Sequence, residues 1–408
     1  MKNILKTYKG LPKEIYVLFI GKIVNSLGAF VQPLMSFILT QKLSMSASDA
    51  GLFVTMVAVC QVPCIIIGGK LTDTIGRKKV IITCQLFGAL TLLICGIIPL
   101  SQLTSKLMIL SSCFYSISIP AYDALNADLT EEHNRKRAYS LLYMGHNIGY
   151  AIGPVLGGFL YKNYLHIAFV GDAITTLLAL SLIVFYIKEP LKKIKTKEHC
   201  KLYRKEEKSS TFKVIIKRPI LILFPIMMFF YNFAYSQWTF TLPIYLIQLF
   251  PDNGAKIFGF LGGFNGFLVI AFTPLLTYKT KNFKALNIMT VAGILYGLSF
   301  VICIFATQQI LFFIVIFILT MGEILIVTNS QPFIANNTPP THRGRILAIV
   351  PMISGTGRAL GPYIMGGIID TKGMFASWII ITVTCFIGAV GMFIIKNLKN
   401  VNDVYEKS

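Results

Sequence analysis

Apolar stretches about as long as a bilayer is thick recur from one end of the chain to the other, parted by short polar turns. They occupy roughly residues 15–39, 50–69, 80–100, 107–126, 138–161, 167–187, 219–247, 257–276, 285–305, 309–332, 346–369 and 374–395. A helix of about 20 apolar residues crosses a hydrocarbon core about 30 Å thick. Inside lipid the backbone must satisfy its own hydrogen bonds, so these segments are expected to be helices rather than open strands. The pattern predicts an all-α membrane protein with twelve transmembrane helices.

Composition agrees. Of 408 residues, 55% are hydrophobic and 13% charged, with a mean hydropathy of +0.68, which places the chain in the membrane class. The net charge of +21 invites a nucleic-acid partner until the basic residues are located. With the N-terminus taken as cytoplasmic, most of the 38 Lys and Arg fall in the tails and inward loops, as the positive-inside rule requires. Both termini are then cytoplasmic, the expected location is the cell (plasma) membrane, lipids surround the chain, and nucleic acid drops out as a partner. The start, MKNILKTYKGLPKE, is basic and polar, and no cleavable signal peptide is expected. Seven of the eight cysteines fall in apolar segments and Cys200 in a basic loop, so buried packing explains them better than disulfides or metal. No cofactor or metal is expected.

A basic stretch from Lys188 to Arg218 divides the segments six and six. The predicted organisation is an N-terminal six-helix bundle over 1–188, a cytoplasmic linker over 189–218 and a C-terminal six-helix bundle over 219–408. A solvated linker held near anionic lipid accounts for its charge. The halves are related in sequence. ADLTEEHNRKRAYSLLYMGHNIGYAIGPVLGG from Ala127 lies over ANNTPPTHRGRILAIVPMISGTGRALGPYIMG from Ala335, with Thr130, Arg135, Arg137, Met144, Gly149, Ala151, Gly153, Pro154 and Gly158 repeated in register. Two six-helix pseudo-repeats around a central cavity are a transporter design, with substrate bound near the midplane where the repeats meet.

Between segments two and three stands GGKLTDTIGRKKV. Its Gly69, Leu71, Asp73, Gly76, Arg77 and Lys78 match G-x-L-x-D-x-x-G-R-K/R, and the chain resembles the major facilitator superfamily on that loop. A short glycine-bearing turn lets two helix ends approach, and Asp73 and Arg77 are placed to pair with charges on neighbouring helices. The resemblance implies that the loop latches one conformation, with an acid at the inner end of segment four as partner, Asp128 or alternatively Asp123. Segment five carries GYAIGPVLGG, with Gly149, Gly153, Pro154, Gly157 and Gly158. Small residues at this spacing serve plain helix packing, but the string also resembles the antiporter motif that marks exporters of the superfamily. Segment four, with SSCFYSISIPAYDAL, lacks the arginine that many drug antiporters carry there. The Gly-Glu pair in TMGEIL on segment ten resembles that of proton-coupled relatives, and peptide symporters also have a glutamate on that helix.

Intramembrane charges are few, and each is a candidate functional group. Glu323 lies in the middle of ILFFIVIFILTMGEILIVTNSQ. Lys22 shares a helical face with Asn25, Ala29, Gln32 and Ser36, which suits a cavity, although Lys22 could also snorkel to the surface. Asp123, His146, Asn147 and Arg358 complete the set. The ordinary pKa of His146 permits proton transfer, while a packing role is its plainer reading. Arg358 either neutralises Glu323 or serves substrate. Asp172 and His166 fall near the outer end of segment six and are expected to be interfacial. On segment seven Asn232, Tyr235 and Trp238 follow helical spacing; such stripes are ordinarily packing, and in a cavity they would stack on planar or cationic ligands.

These readings predict a secondary active transporter, with proton-coupled efflux of lipophilic or cationic small molecules by alternating access. The alternative is a proton-coupled symporter importing peptides or another small nutrient. Its partners are small-molecule substrate and protons, and it is expected to be a monomer. No catalytic cluster and no G-x-x-x-x-G-K-S/T nucleotide loop is present, so neither an enzyme nor an ATP-driven pump is expected.

Overall fold

The computed structural model describes residues 8–189, 218–338 and 343–397. The greater part of the basic linker and both chain ends lie outside the described residues. Among the described residues every regular element is helical. In chain order α1 is Lys13–Leu27, α2 Ala47–Ile75, α3 Arg77–Ile97, α4 Gln102–Asp128, α5 Glu132–Tyr150, α6 Gly153–Leu160, α7 Leu165–Tyr186, α8 Ile220–Ser236, α9 Thr241–Leu249, α10 Gly254–Thr280, α11 Ala285–Phe305, α12 Gln309–Asn336 and α13 Arg343–Asn397. Eight stretches of the described residues are long and apolar enough to cross a membrane, which makes this an all-helical, multi-pass membrane protein.

Departures from twelve uniform segments have local causes. Segment one is not continuous: α1 ends at Leu27, and a short helical turn resumes only at Met35. Pro33 lacks an N–H and its ring crowds the preceding turn, which favours a break there. Segment five divides into α5 and α6 at Ala151 and Ile152, with Pro154 in the first turn of α6, where its missing N–H costs nothing. Segments eleven and twelve run together as α13, turning at Gly373 with φ 79°. Segment seven is likewise two helices, α8 and α9, parted at Gln237.

The chain gathers into two compact units. The first comprises Met1–Ser44, Met56–Cys200 and Leu246–Phe267. Its core joins Ile15 and Leu18 of α1 to Val80 and Ile81 of α3, Leu125 of α4, Leu141 of α5 and Ile183 of α7. Apolar burial between helices is weakly driven in lipid, where close approach and van der Waals contact carry the packing. Gly149 of α5 shows how: a Cβ there would lie 2.5 Å from Ile23 O and 2.7 Å from Leu27 N of α1. At the far end of α6, Lys162 Nζ donates to Asp252 Oδ1 at 2.8 Å. That hydrogen bond and the lysine charge hold the Asp252 carboxyl below its ordinary pKa, but both side chains are exposed and the pair contributes little.

The second unit comprises Met45–Thr55, Lys201–Tyr245 and Leu268–Ser408. Its core includes Phe224 and Tyr231 of α8, Phe300 of α11 and Trp378 of α13, each no more than 2% exposed. Gly357 and Gly361 of α13 lie against Phe229 and Phe233 of α8, the same small-residue device as α5 on α1. The first turn of α2 belongs to this unit. Asp370 in α13 accepts the Ala47 and Ser48 N–H groups at 3.2 and 2.7 Å, satisfying donors that a helix start leaves open. Replacing this carboxylate with Asp370→Ala is expected to cost about 1 kcal/mol, read as a lower unfolding temperature of the purified protein in detergent, with Asp370→Asn losing less. Equal stability of all three proteins would show that the cap contributes nothing.

Candidate functional site

The turn between α2 and α3 is one residue, Gly76, with φ 110°. A Cβ there would lie 2.7 Å from Glu189 Oε2, so glycine is needed both for the backbone conformation and for the approach of that carboxylate. Glu189, just after α7, accepts the Arg77 N–H at 3.1 Å and the Lys78 N–H at 2.9 Å, which caps α3 with an anion where its dipole favours one. In return Lys78 Nζ donates to Val184 O and Ile187 O, both at 2.7 Å, at the C-terminal end of α7, where the helix dipole favours a cation.

Arg77 gathers the remaining charges of the motif. Its Nε lies 2.8 Å from Asp128 Oδ2 and its NH1 donates to Thr72 O at 2.9 Å. Asp128, not Asp123, is therefore its acidic partner on α4. Asp73 lies 3.7 Å from Arg77 with its own side chain 76% exposed, a weak contact. A Cβ on Gly69 would meet open space, so packing gives no reason for glycine there. Glu189 is a member of this network that the sequence reading missed. Only its place at the end of segment six, in a basic stretch, hinted at it.

Deeper in the first unit, polar groups of α1 meet three other helices. Lys22 and Asp123 of α4 are exposed and attract one another. His146 Nδ1 of α5 and Ser26 Oγ are 2.8 Å apart, and Asn25 donates to Thr176 Oγ1 of α7 at 3.2 Å. Gln32 is exposed in the gap after α1. Asn147 is buried and donates within α5 to Tyr143 O at 2.9 Å. The glycine motif is spent on close packing: Gly153 abuts Ser26 O and Leu27 O, Gly157 meets Phe30 and Leu34, Gly158 lies on Ala255 O, and Pro154 O faces Gly259 of α10. Asp172, expected near the outer end of its segment, is 9% exposed and accepts the Val31 N–H at 3.4 Å.

In the second unit, Glu323 of α12 is half-buried and Arg358 of α13 exposed. Tyr296 of α11 feels both charges. Its ring stacks on Tyr235 at 6.1 Å and meets Tyr231 edge-on at 6.1 Å, while Arg358 Cζ is 6.0 Å from the Tyr235 centroid, within cation–π reach. Tyrosines from α8 and α11 thus join the acid to the base. Tyr296 carried no signal in the sequence, being one aromatic residue in an apolar run. Trp238 is 2% exposed, and Asn232 donates within α8 to Met228 O at 2.9 Å; neither presents a free polar face. Among the described residues no group of three or more His, Cys, Asp or Glu could hold a metal ion.

The Arg77–Asp128 pair makes a measurable claim. Both side chains are largely covered, at 10% and 17% exposure, and removing one partner strands the other charge. Asp128→Ala is expected to cost about 3 kcal/mol, while Arg77→Ala with Asp128→Ala together should cost less than the two single losses combined. Unfolding curves of the four proteins in detergent measure this, and strict additivity would contradict the pairing.

Comparison with known proteins fits this architecture. The sequence profile of the Major Facilitator Superfamily matches residues 18–331 and 258–404. Among curated proteins, the chain is 25% identical over 378 residues to "Uncharacterized MFS-type transporter YqjV" of Bacillus subtilis (strain 168), covering 90% of this chain and 89% of that protein. It is 24% identical to a "Na(+), Li(+), K(+)/H(+) antiporter" of Planococcus maritimus, covering 77% and 80%. With "Multidrug resistance protein 2" of Bacillus subtilis (strain 168) it shares 28% identity over 56% of this chain and 55% of that one. Among solved structures, nucleoside transporter NupG superposes with a TM-score of 0.78 at 13% identity, covering 95% of this chain and 100% of the other. A peptide transporter POT in complex with sulfate gives 0.74 at 16% identity, covering 95% of each. At such identities the structures speak for the fold alone. The profile spans nearly the whole chain, and the protein belongs to the Major Facilitator Superfamily of membrane transporters.

Proposed function

We propose that the protein exports lipophilic or cationic small molecules in exchange for protons, its twelve segments working as two six-helix repeats that alternately open a central cavity. The observation that carries the reading is Glu323, a half-buried acid in mid-span of α12, in the same unit as Arg358 and near Tyr296, whose ring stacks on Tyr235. An acid at that depth costs on the order of 2.5 to 3.5 kcal/mol on insertion scales and is kept for function. Glu323 takes a proton from the outer side and releases it inward. Lys22, Asn25, Gln32, Asp123, His146, Tyr235 and Arg358 line the pathway, and the Arg77–Asp128 network with Asp73 and Lys78 acts as the conformational gate. Relatives named as multidrug resistance protein and as antiporter support the export direction, as does the GP string of α5 and α6. The protein works as a monomer in the plasma membrane with both termini in the cytoplasm.

Coupling requires that proton and substrate favour different conformations, since a ligand equal in both shifts nothing. For an uncharged substrate, one proton moving down 100 mV supplies about 2.3 kcal/mol, enough for a concentration ratio of roughly 50. Import of a peptide or another nutrient is the second reading. It is supported by the missing arginine on α4 and by Glu323 itself, since peptide symporters also have a glutamate on that helix.

Efflux of ethidium, a fluorescent lipophilic cation, from energised cells decides between them. The intact protein should hold internal dye below the level that cells lacking the protein reach at the same membrane potential, and Glu323→Gln should let it rise to that level, roughly 50-fold inward at 100 mV. In vesicles with the potential clamped, a protonophore should abolish the outward pumping. Export that persists undiminished in Glu323→Gln would remove the glutamate from the proton path. Gradient-driven accumulation above the level of cells lacking the protein would reverse the direction.

A further inference from the structure

The break in segment one is held by a carboxylate that the pathway above does not use. Beyond Leu27 the chain leaves the helix: the Phe30 N–H donates back to Gly28 O at 2.7 Å, and the Val31 N–H turns to Asp172 of α7, with N at 3.4 Å from Oδ2. α7 fits closely into this gap: the Thr175 side chain occupies the space where a Cβ of Gly28 would be, and Gly171 faces the Phe30 ring. Asp172 lies about two turns into α7 from its outer start, is 9% exposed, and among the described residues forms no ion pair with Lys, Arg or His. Non-helical backbone at membrane depth persists only where protein groups satisfy it. A buried acid without a counter-charge, bonded to that backbone, is therefore placed where gain or loss of a proton changes the support of the break.

The same pocket holds a second polar group without a settled partner. Tyr115 Oη of α4 is buried without a well-formed hydrogen bond, within reach of Ser111 and Thr176, and close enough to Asp172 to feel its charge. Thr176 is bonded to Asn25, and the next residue, Ser26, is bonded to His146. These two separate hydrogen bonds tie the end of α1 to α7 and α5 next to the break. Tyr115 is the titratable group that faces Asp172 from α4, and the break of segment one presents only backbone N–H groups and apolar side chains to it.

We propose that Asp172 is a proton-binding site of the first unit, separate from Glu323, whose charged form holds the break in segment one through Val31. On protonation the carboxylate takes up one H+ at an oxygen and becomes a neutral acid that accepts the Val31 N–H less strongly. The use of this proton in transport rests on the proton-coupled reading, whereas the binding itself does not.

Infrared difference spectra of the purified full-length protein in liposomes, taken from mildly alkaline to mildly acid pH, test the binding directly. A carboxylic C=O band is expected to grow on acidification, with one component lost in Asp172→Asn and retained in Glu323→Gln. An acid-form spectrum that Asp172→Asn leaves unchanged would overturn the proposal and leave Asp172 a permanent backbone cap. Should the Asn variant fail to fold, Asp172→Glu answers the same question: a displaced band with a shifted midpoint supports the site, and an unaltered spectrum overturns it. Because no transport is read, this outcome is independent of the dye-efflux result.

Discussion

A chain in lipid has no water to satisfy its peptide groups, and much of this structure follows from that constraint. Helices meet it internally except at their ends and breaks, where the first N–H groups are left without partners. Here three carboxylates take up those donors. Glu189 caps α3 behind Gly76, Asp370 caps α2, and Asp172 receives the backbone beyond α1. Each acid comes from a different helix from the one it serves, so each cap also ties two elements together. Acids are scarce in this chain, 17 Asp and Glu among 408 residues, and several of those inside or beside the helices are used on backbone rather than on lysine or arginine.

The second constraint is that lipid tails are as apolar as leucine, so hydrophobic burial does little to bring helices together. Close approach must do it, and glycine permits close approach. Gly149 and Gly153 admit the backbone of α1, and Gly357 and Gly361 admit that of α8. The string that resembles an antiporter motif is thus first of all a packing surface, and any role in transport direction acts through how tightly α5 and α6 hold their neighbours. Aromatic rings fill the second unit where glycine does not, with Phe300 stacked on Trp378 at 5.9 Å and Tyr231 bonded to Met289 O at 2.9 Å.

Membership of the superfamily explains the architecture, while direction and cargo depend on the few polar side chains set inside it. Those chains fall into two sets, Lys22, Asp123 and His146 in the first unit and Glu323, Arg358 and the tyrosines in the second. Both contain an acid and a base within reach of one another's field or of a shared ring.

Much of this was legible in the sequence. Twenty-residue apolar runs demand helices because no other single-chain element satisfies its backbone in lipid, and the G-x-L-x-D-x-x-G-R-K string located the Gly76 turn and the Arg77 network. Glu323 and Lys22 announced themselves because a charge in an apolar run is costly. Breaks were harder to read. Gly28, Pro33 and Pro154 were visible, but prolines also occur inside unbroken stretches, at Pro63 and Pro120, so a proline alone does not tell a kink from a gap. Periodicity likewise ranked Asn147, Asn232 and Trp238 with the cavity residues; Asn147 and Trp238 are buried and Asn232 is half-buried, and Asn147 and Asn232 each donate to a carbonyl of their own helix. The sequence by itself determined which segments are helices and where charge is rare enough to matter. Tertiary structure decided which acid meets which donor, because Asp172, Glu189, Asp370 and Tyr296 acquire their roles from partners far away in the chain, and no local pattern records a contact between distant residues.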